Sequence, residues 1–323
     1  MRGRKSVLVL AGLAYSAPPL SYRPLVHLIH LMGQIVERVW LVTGASRGLG
    51  MTLVRRLLAR GDRVIATARK TGALDALLAE PGIDHTCMFS LQLDVTASPA
   101  ELREVMKVAV AHWGHIDVLV NNAGFGDLGA LEETSTEYAT HIVQTNYFGV
   151  MNVTNALLPY LRARRSGKVI IMGSRMAYRT GYMGNGMYSA SKAAVHAYGE
   201  ALSVEMKPFG IDVMIAVPGA FDSGCSIAIK SGTKISDYDA MRESVAQTLE
   251  VRWQARNPGD PVKGMDALID VVRGEGRAAG REGMPLWLPL GDDAIANMRE
   301  RLEKLNKTID DWEAVGARLG KLD

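Results

Sequence analysis

Residues 38–58 limit the possible folds more than any other stretch. Arg38-Val39-Trp40-Leu41-Val42 is a short apolar strand signal. It runs directly into Thr43-Gly44-Ala45-Ser46-Arg47-Gly48-Leu49-Gly50, and a helical pattern follows that sets Leu53, Leu57 and Leu58 on one face. Glycines let backbone approach a ligand closely. A helix start offers unbonded N–H groups and partial positive charge, so strand, glycine turn and helix together form a cradle for a pyrophosphate. The spacing is Gly-x-x-x-Gly-x-Gly rather than the commoner Gly-x-Gly-x-x-Gly.

The pattern repeats along the chain. Arg63 to Ala68 reads as a second strand. An acid at the end of this strand would hold the adenosine ribose hydroxyls, whereas arginine accommodates a 2′-phosphate. Ala68 occupies that place, followed by Arg69 and Lys70, with Arg47 in the glycine turn; this favours NADP(H) over NAD(H). Thr86 to Val95 reads as a third strand carrying Asp94 and Val95 at its end, and Pro99 to Trp113 as a helix. Ile116 to Val120 is a buried strand leading into Asn121-Asn122-Ala123-Gly124. One long helix is expected over Thr134 to Arg165, with Asn146 in its middle and Pro159 near its end. Lys168 to Met172 delivers Gly173-Ser174, a glycine-rich loop spans Thr180 to Met187, and a helix runs from Tyr188 to about Lys207. Ile211 to Val217 ends at Pro218-Gly219. Alternating strands and helices predict an α/β domain, a parallel sheet with helices on both faces and ligands beyond the carboxyl ends of the strands. Asp94, Asn121 and Gly124 fall at such ends.

Tyr188 and Lys192 stand four residues apart, on one face of their helix. An ammonium near a phenol favours phenolate, and a phenol so tuned can pass a proton to or from a substrate oxygen.

In combination these blocks resemble the short-chain dehydrogenase/reductase family over about Arg38 to Ser223, in the branch of hydroxysteroid and retinol dehydrogenases and their microbial relatives. The resemblance implies a single Rossmann-type, doubly wound sheet of about seven parallel strands in the order 3-2-1-4-5-6-7. It implies Tyr188 as general acid/base, Lys192 as the cation that tunes it and holds the nicotinamide ribose, Ser174 polarising the carbonyl, and Asn146 steadying a water-borne proton path. Gly44, Ser46, Arg47, Gly48, Leu49 and Gly50 would line the pyrophosphate and ribose. Arg69 would meet the 2′-phosphate, Asp94 and Val95 the adenine, Asn122, Ala123 and Gly124 the adenosine side, and Pro218-Gly219 the carboxamide. Three departures stand out. Ser174 precedes Tyr188 by fourteen residues rather than the usual thirteen, and the extra residue is assigned to the loop. Arg175, unusual after the serine, is expected to face solvent. Ser223 replaces the threonine often found after Pro-Gly and keeps its hydroxyl.

The implied reaction interconverts a carbonyl and an alcohol on a fairly apolar small molecule, in a homodimer or homotetramer paired through the helices around Asn146 and Tyr188. The competing readings are a non-catalytic NADP(H) sensor and a dehydratase or epimerase on the same scaffold. Net charge is +3 with acids and bases mixed along the chain, so no nucleic-acid partner is indicated. Residues 1–31 hold four bases and no acid, and the apolar run Val7 to Ala14 is too short to span a membrane. They read as upstream of a start at Met32, as a targeting segment or as an anchor; the domain proper is 32–323 and its expected place cytoplasmic, or an organelle or the secretory pathway if the segment is a signal. Cys87 and Cys225 lack metal spacing and read as buried, reduced thiols. Phe221 to Asp237 is expected to form a mobile loop over the site. Met172, Met176, Met183 and Met187 suggest a soft pocket. Pro285 to Pro289 reads as the last strand, and 292–319 as a final helix docked on the core or at a subunit contact.

Overall fold

The computed structural model describes residues 37–126, 128–181, 184–224, 233–255 and 258–320. The expectations for residues 1–31, for Cys225 and Met183, and for most of the loop after Phe221 fall outside them. Glu37 onward forms one compact unit.

The chain alternates β1 (Val39–Val42), α1 (Gly48–Ala59), β2 (Arg63–Ala68), α2 (Gly72–Leu78), β3 (Met88–Gln92), α3 (Pro99–Trp113) and β4 (Val118–Asn121). It continues through α4 (Thr136–Val143), α5 (Gly149–Arg164), β5 (Gly167–Met172), α6 (Gly186–Met206) and β6 (Ile211–Pro218). Helices α7 (Asp239–Ala255) and α8 (Pro261–Arg273), strand β7 (Trp287–Leu290) and helix α9 (Asp292–Gly316) complete it. The seven strands are all parallel, in the order β3-β2-β1-β4-β5-β6-β7. The order reverses at β1 and β4, where Trp40 lies between Val64 and Val118.

A sheet covered on both faces needs apolar residues at nearly every strand position, and alternate side chains serve opposite cores. Trp40 and Val42 pack with Leu53 and Leu57 of α1 and with Met265, Leu268 and Ile269 of α8. Val39 and Leu41 face the other way, onto Leu102 and Met106 of α3, Val153 and Leu157 of α5, and Val195 of α6. Each fully buried aliphatic side chain contributes about 1.5–3 kcal/mol, so the two cores fix the strand ends from which the site is built.

Three expectations change. The helix expected over Thr134–Arg165 is three pieces: α4, a π-helical turn at Gln144–Phe148, and α5. Asn146, fully buried in that turn, bonds outside its own helix, and the widened turn accommodates this. Cys87 is partly exposed rather than buried. Helices α7 and α8 have no counterpart in the sequence reading. Among the described residues no helix is long and apolar enough to cross a membrane.

Candidate functional site

The carboxyl ends of β1, β4, β5 and β6 carry the candidate residues. After β1 the chain turns at Gly44, where φ is +64° and a Cβ would stand 2.8 Å from the Ala123 Cα. Only glycine satisfies both conditions. The turn is tied to the segment after β4. Thr43 Oγ1 accepts from the N–H groups of Asn122 and Ala123, both at 3.0 Å, and Asn122 Nδ2 donates to the carbonyls of Thr43 (2.9 Å) and Gly44 (3.0 Å). Gly50 packs where a Cβ would meet Asn122 Nδ2 at 2.4 Å. The glycine turn and the Asn122 segment thus form one double loop, its two halves joined by the Thr43 and Asn122 side chains.

Helix α1 starts at that loop with Arg47 as its N-cap residue. No side chain caps it and its first turn holds no acid, so its N–H groups remain directed at whatever lies beyond the turn. Arg47, Arg69 and Lys70 are exposed, and none forms an ion pair with a described residue. Asp94 is exposed and its Oδ1 accepts from the Thr96 N–H (2.9 Å) and Oγ1 (2.7 Å); Val95 is buried against Gly149. Ser46 and Leu49 are half-buried along the turn.

Beyond β4, Gly124 lets two polar side chains come close: a Cβ there would stand 3.1 Å from Asn146 Oδ1 and 3.4 Å from Lys192 Nζ. Asn146 is satisfied at both ends. Its Oδ1 accepts from the Phe125 N–H (3.0 Å), and its Nδ2 donates to the Phe125 carbonyl (2.8 Å) and Ser191 Oγ (3.0 Å). Gly126, which sequence reasoning passed over, lies flat against the Tyr188 ring, where a Cβ would intrude to 2.6 Å.

Helix α6 presents Tyr188, Lys192 and His196 at successive four-residue steps. Lys192 Nζ stands 5.9 Å from the Tyr188 ring centre and donates to the Met172 carbonyl at 2.7 Å. Burial pulls its pKa down to about 8. Ser174 is buried at the end of β5, and its Oγ accepts from the Met176 N–H (3.1 Å), capping a short 3₁₀ turn at Arg175–Ala177. That leaves the Ser174 hydroxyl proton free to point elsewhere.

Two features escaped the sequence reading. His196 Nε2 accepts from the Ser174 N–H at 3.2 Å, and the ring packs against Tyr178 and Trp287. Burial, helped by the Lys192 charge, lowers its pKa to about 3, so it is a neutral acceptor across the working range. Its spacing from Tyr188 and Lys192 was the available signal. Arg175, expected to face solvent, instead reaches the first turn of α9, with its Nε 3.1 Å from Asp293 Oδ2 and its Nη1 donating to Asn297 Oδ1 at 3.0 Å. Asp293 also accepts from the Ala220 N–H at 2.9 Å and lies against Gly219, whose N–H donates to the Leu290 carbonyl at 2.8 Å. One carboxylate therefore holds the segment after Ser174 and the segment after Pro218 together. The partners are far apart in sequence, so no local pattern announces them.

Of the methionines, Met172 and Met176 are buried, Met172 in the core, and Met187 lines a small cleft with Leu128, Gly129, Thr134, Tyr138, Ile142 and Gly184. The near wall of the later loop is held by Glu133, which pairs with Arg242 of α7 and accepts from the Ile235 N–H at 2.8 Å.

A family profile described as short chain dehydrogenase matches residues 38–234. The chain belongs to that family. It is 30% identical over 278 residues to oxidoreductase BOA17 of Botryotinia fuckeliana, covering 86% of this chain and 97% of that protein. It is 39% identical over 214 residues to 3-ketodihydrosphingosine reductase of Bacteroides thetaiotaomicron, covering 65% and 72%. The crystal structure of a short-chain dehydrogenase from Streptomyces avermitilis superposes with a TM-score of 0.75 at 36% identity, over 89% of this chain and all of that one. Membership makes the chain an oxidoreductase with a nucleotide-binding Rossmann fold; the roles of its individual residues rest on the geometry above.

Proposed function

We propose that this short-chain dehydrogenase is an NADP(H)-dependent oxidoreductase that interconverts a carbonyl and a primary or secondary alcohol on a fairly apolar small molecule. The observation that carries the reading is the convergence of Tyr188, Lys192 and Ser174 at the ends of β4 and β5, with Asn146 and His196 locking their supports.

The cradle fits a dinucleotide. Gly44 and Gly50 let the loop pack closely on Ala123 and Asn122, Gly48 takes a left-handed φ of 59°, the α1 N-terminus is uncapped, and exposed Arg47, Arg69 and Lys70 would supply positive charge to a 2′-phosphate. When bound there, NADP(H) supplies the hydride. The protein's own residues do the rest. Ser174 Oγ, fixed by the Met176 N–H, donates its proton toward the substrate oxygen. Tyr188 donates a proton to that oxygen as it gains negative charge in reduction, and takes one in oxidation. Lys192 favours the phenolate through its charge and, held on the Met172 carbonyl, would face the ribose. Asn146 would steady a water-borne proton path behind Lys192. Asp94 and Val95 would border the adenine, Asn122 to Gly124 the adenosine, and the backbone after Pro218 and Gly219 the carboxamide. Met176, buried beside Ser174, is compatible with an apolar substrate. Exposed Phe148 and Val204, on the π turn and on α6, support a homodimer or homotetramer paired through these helices.

The test is NADPH consumption over a panel of ketones, aldehydes and quinones, beginning with 3-ketodihydrosphingosine, the compound that names the Bacteroides relative. NADPH should be preferred to NADH. Tyr188→Phe should lose roughly 10²–10⁴-fold in kcat while its NADPH affinity stays within about threefold. Tight NADPH binding without turnover on any carbonyl would favour a sensor, and turnover unaffected by Tyr188→Phe would remove the assigned acid/base.

A further inference from the structure

Helix α9 divides into a root and an arm. The root is docked: Ala294 is fully buried with Ile215 and Val217, and Met298 packs against the same cluster. From Leu302 to Gly316 every residue is exposed. The arm is nevertheless far from uniformly polar. Leu302 (60% exposed), Leu305 (43%), Ile309 (60%) and Trp312 (64%) form one apolar line along it. Their spacing alternates three and four, and it continues the line of Ile295 and Met298 without a break. Val315 (68% exposed) adds to the line only at the tip of the arm. A helix lying on a globular core buries a broader stripe; from Leu302 to Trp312 the line keeps to these two heptad positions, which is the seam of a helix paired with another helix. The opposite face is occupied by the ion pairs Glu300–Lys304 and Lys307–Asp311, each at 2.7 Å. A seam of this kind left in water signals an interaction surface.

The charges beside the seam choose the occupant. Arg299 and Glu313 flank it on one side, at opposite ends of the arm. Laid antiparallel against a second copy, Leu302 meets the partner subunit's Trp312 and Leu305 meets the partner subunit's Ile309. The same register brings Arg299 beside the partner subunit's Glu313 at both ends and Asn306 beside the partner subunit's Asn306 near the two-fold axis. A parallel pair would instead set Arg301 beside the partner's Asn306 and Thr308 beside the partner's Glu313, with no ion pair in either place.

We propose that the α9 arm is a self-association element, pairing antiparallel with the arm of a second copy in this register. Eight apolar side chains would bury roughly 1,000 Å² in total, near the lower end for a specific contact, so the arm alone gives a reversible association in the micromolar range. It is separate from any pairing through α5 and α6, and it does not depend on the enzymatic reading.

Sedimentation of the full chain over a concentration series tests the pairing. Leu305→Glu combined with Ile309→Glu should halve the assembly mass or raise its dissociation constant by about tenfold or more, leaving NADPH affinity unchanged, and leaving melting temperature unchanged at concentrations where the parent is unpaired and both side chains are exposed. Cross-linking tests the register. With Cys87 and Cys225 replaced by serine, Asn306→Cys should give a disulfide-linked dimer under mild oxidation, whereas Lys307→Cys, on the outer face, should not. An unchanged mass in the double variant would overturn the proposal, as would absent cross-linking at 306 or equal cross-linking at 306 and 307. Recovery of the chain as a species bound to phosphatidylcholine vesicles, with its mass in their absence unaffected by the double variant, would overturn it as well.

Discussion

Helices α1 and α3 both begin at the carboxyl edge of the sheet, and they begin in opposite ways. At α3 the chain satisfies itself: Ser98 Oγ accepts from the Glu101 N–H (3.3 Å), the Glu101 carboxylate accepts from the Ser98 N–H (2.9 Å), and Pro99 removes a further donor. At α1 it does none of this, placing an arginine at the cap and glycines at the first and third helical positions. The buried cations repeat the contrast. Arg273 is matched by Asp62 at 2.7 Å, both nearly fully buried. Lys192, equally buried, has a carbonyl for its hydrogen-bond partner and no described carboxylate paired with it. At the α3 start and at Arg273 the chain supplies acidic partners of its own, and at α1 and Lys192, where the proposed cofactor would bind, it supplies none among the described residues. That choice costs local stability and keeps the donors and the charge available.

The largest effect expected from breaking this contrast is at the glycine turn. Gly44→Ala imposes both a left-handed φ and a Cβ 2.8 Å from the Ala123 Cα, and should cost roughly 3 kcal/mol or more by denaturant unfolding and abolish NADPH binding. Gly114→Ala, at the far end of α3, shares the positive φ but meets open space; it should cost only about 1 kcal/mol and leave binding intact. Equal losses at the two positions would show that the turn is not special.

The buried lysine should give the next largest signal. Its pKa in the folded chain, about 8, lies below the ordinary 10.5. Between those values the unfolded chain binds more protons than the folded one, so stability without cofactor rises with pH through that window. From pH 8 to 9.5 the gain should be about 1.5 kcal/mol, and Lys192→Met should flatten it. A parent protein as stable at pH 8 as at 9.5 would mean that the ammonium is better solvated than its burial indicates. The smallest effect is at α3, where Ser98→Ala should cost about 1 kcal/mol of stability with no change in an NADPH titration.

The parts of the fold that depend on nearby residues were legible in the sequence. Strand β2 (Arg63–Ala68) and helix α3 (Pro99–Trp113) have the bounds their hydrophobic period and capping residues predict, and the strand order matches the expectation. Helix α8 was equally readable and went unread: Asp260 caps it, Pro261 begins it, and Met265, Leu268, Ile269 and Val272 follow at helical spacing. What the sequence concealed depends on contacts distant along the chain. The π turn exists because Asn146 reaches Phe125 and Ser191; Arg175 turns inward because Asp293 and Asn297 wait on α9. Tyr188 and Lys192 were evident from spacing and Ser174 from the family resemblance, whereas the supports beside them, His196 and Asp293, became visible only in three dimensions.

The most direct test places a cap where the chain has withheld one. Arg47→Asp supplies α1 with an acceptor at its N-cap position, and thermal unfolding would be followed with and without NADPH. Without cofactor the variant should be more stable than the parent, by about 1 kcal/mol. With NADPH it should gain much less than the parent, its affinity lowered by roughly a hundredfold as a carboxylate takes the place meant for phosphate. A variant that binds NADPH as tightly as the parent would contradict the account: the bare N-terminus of α1 would then not be the cofactor's anion site.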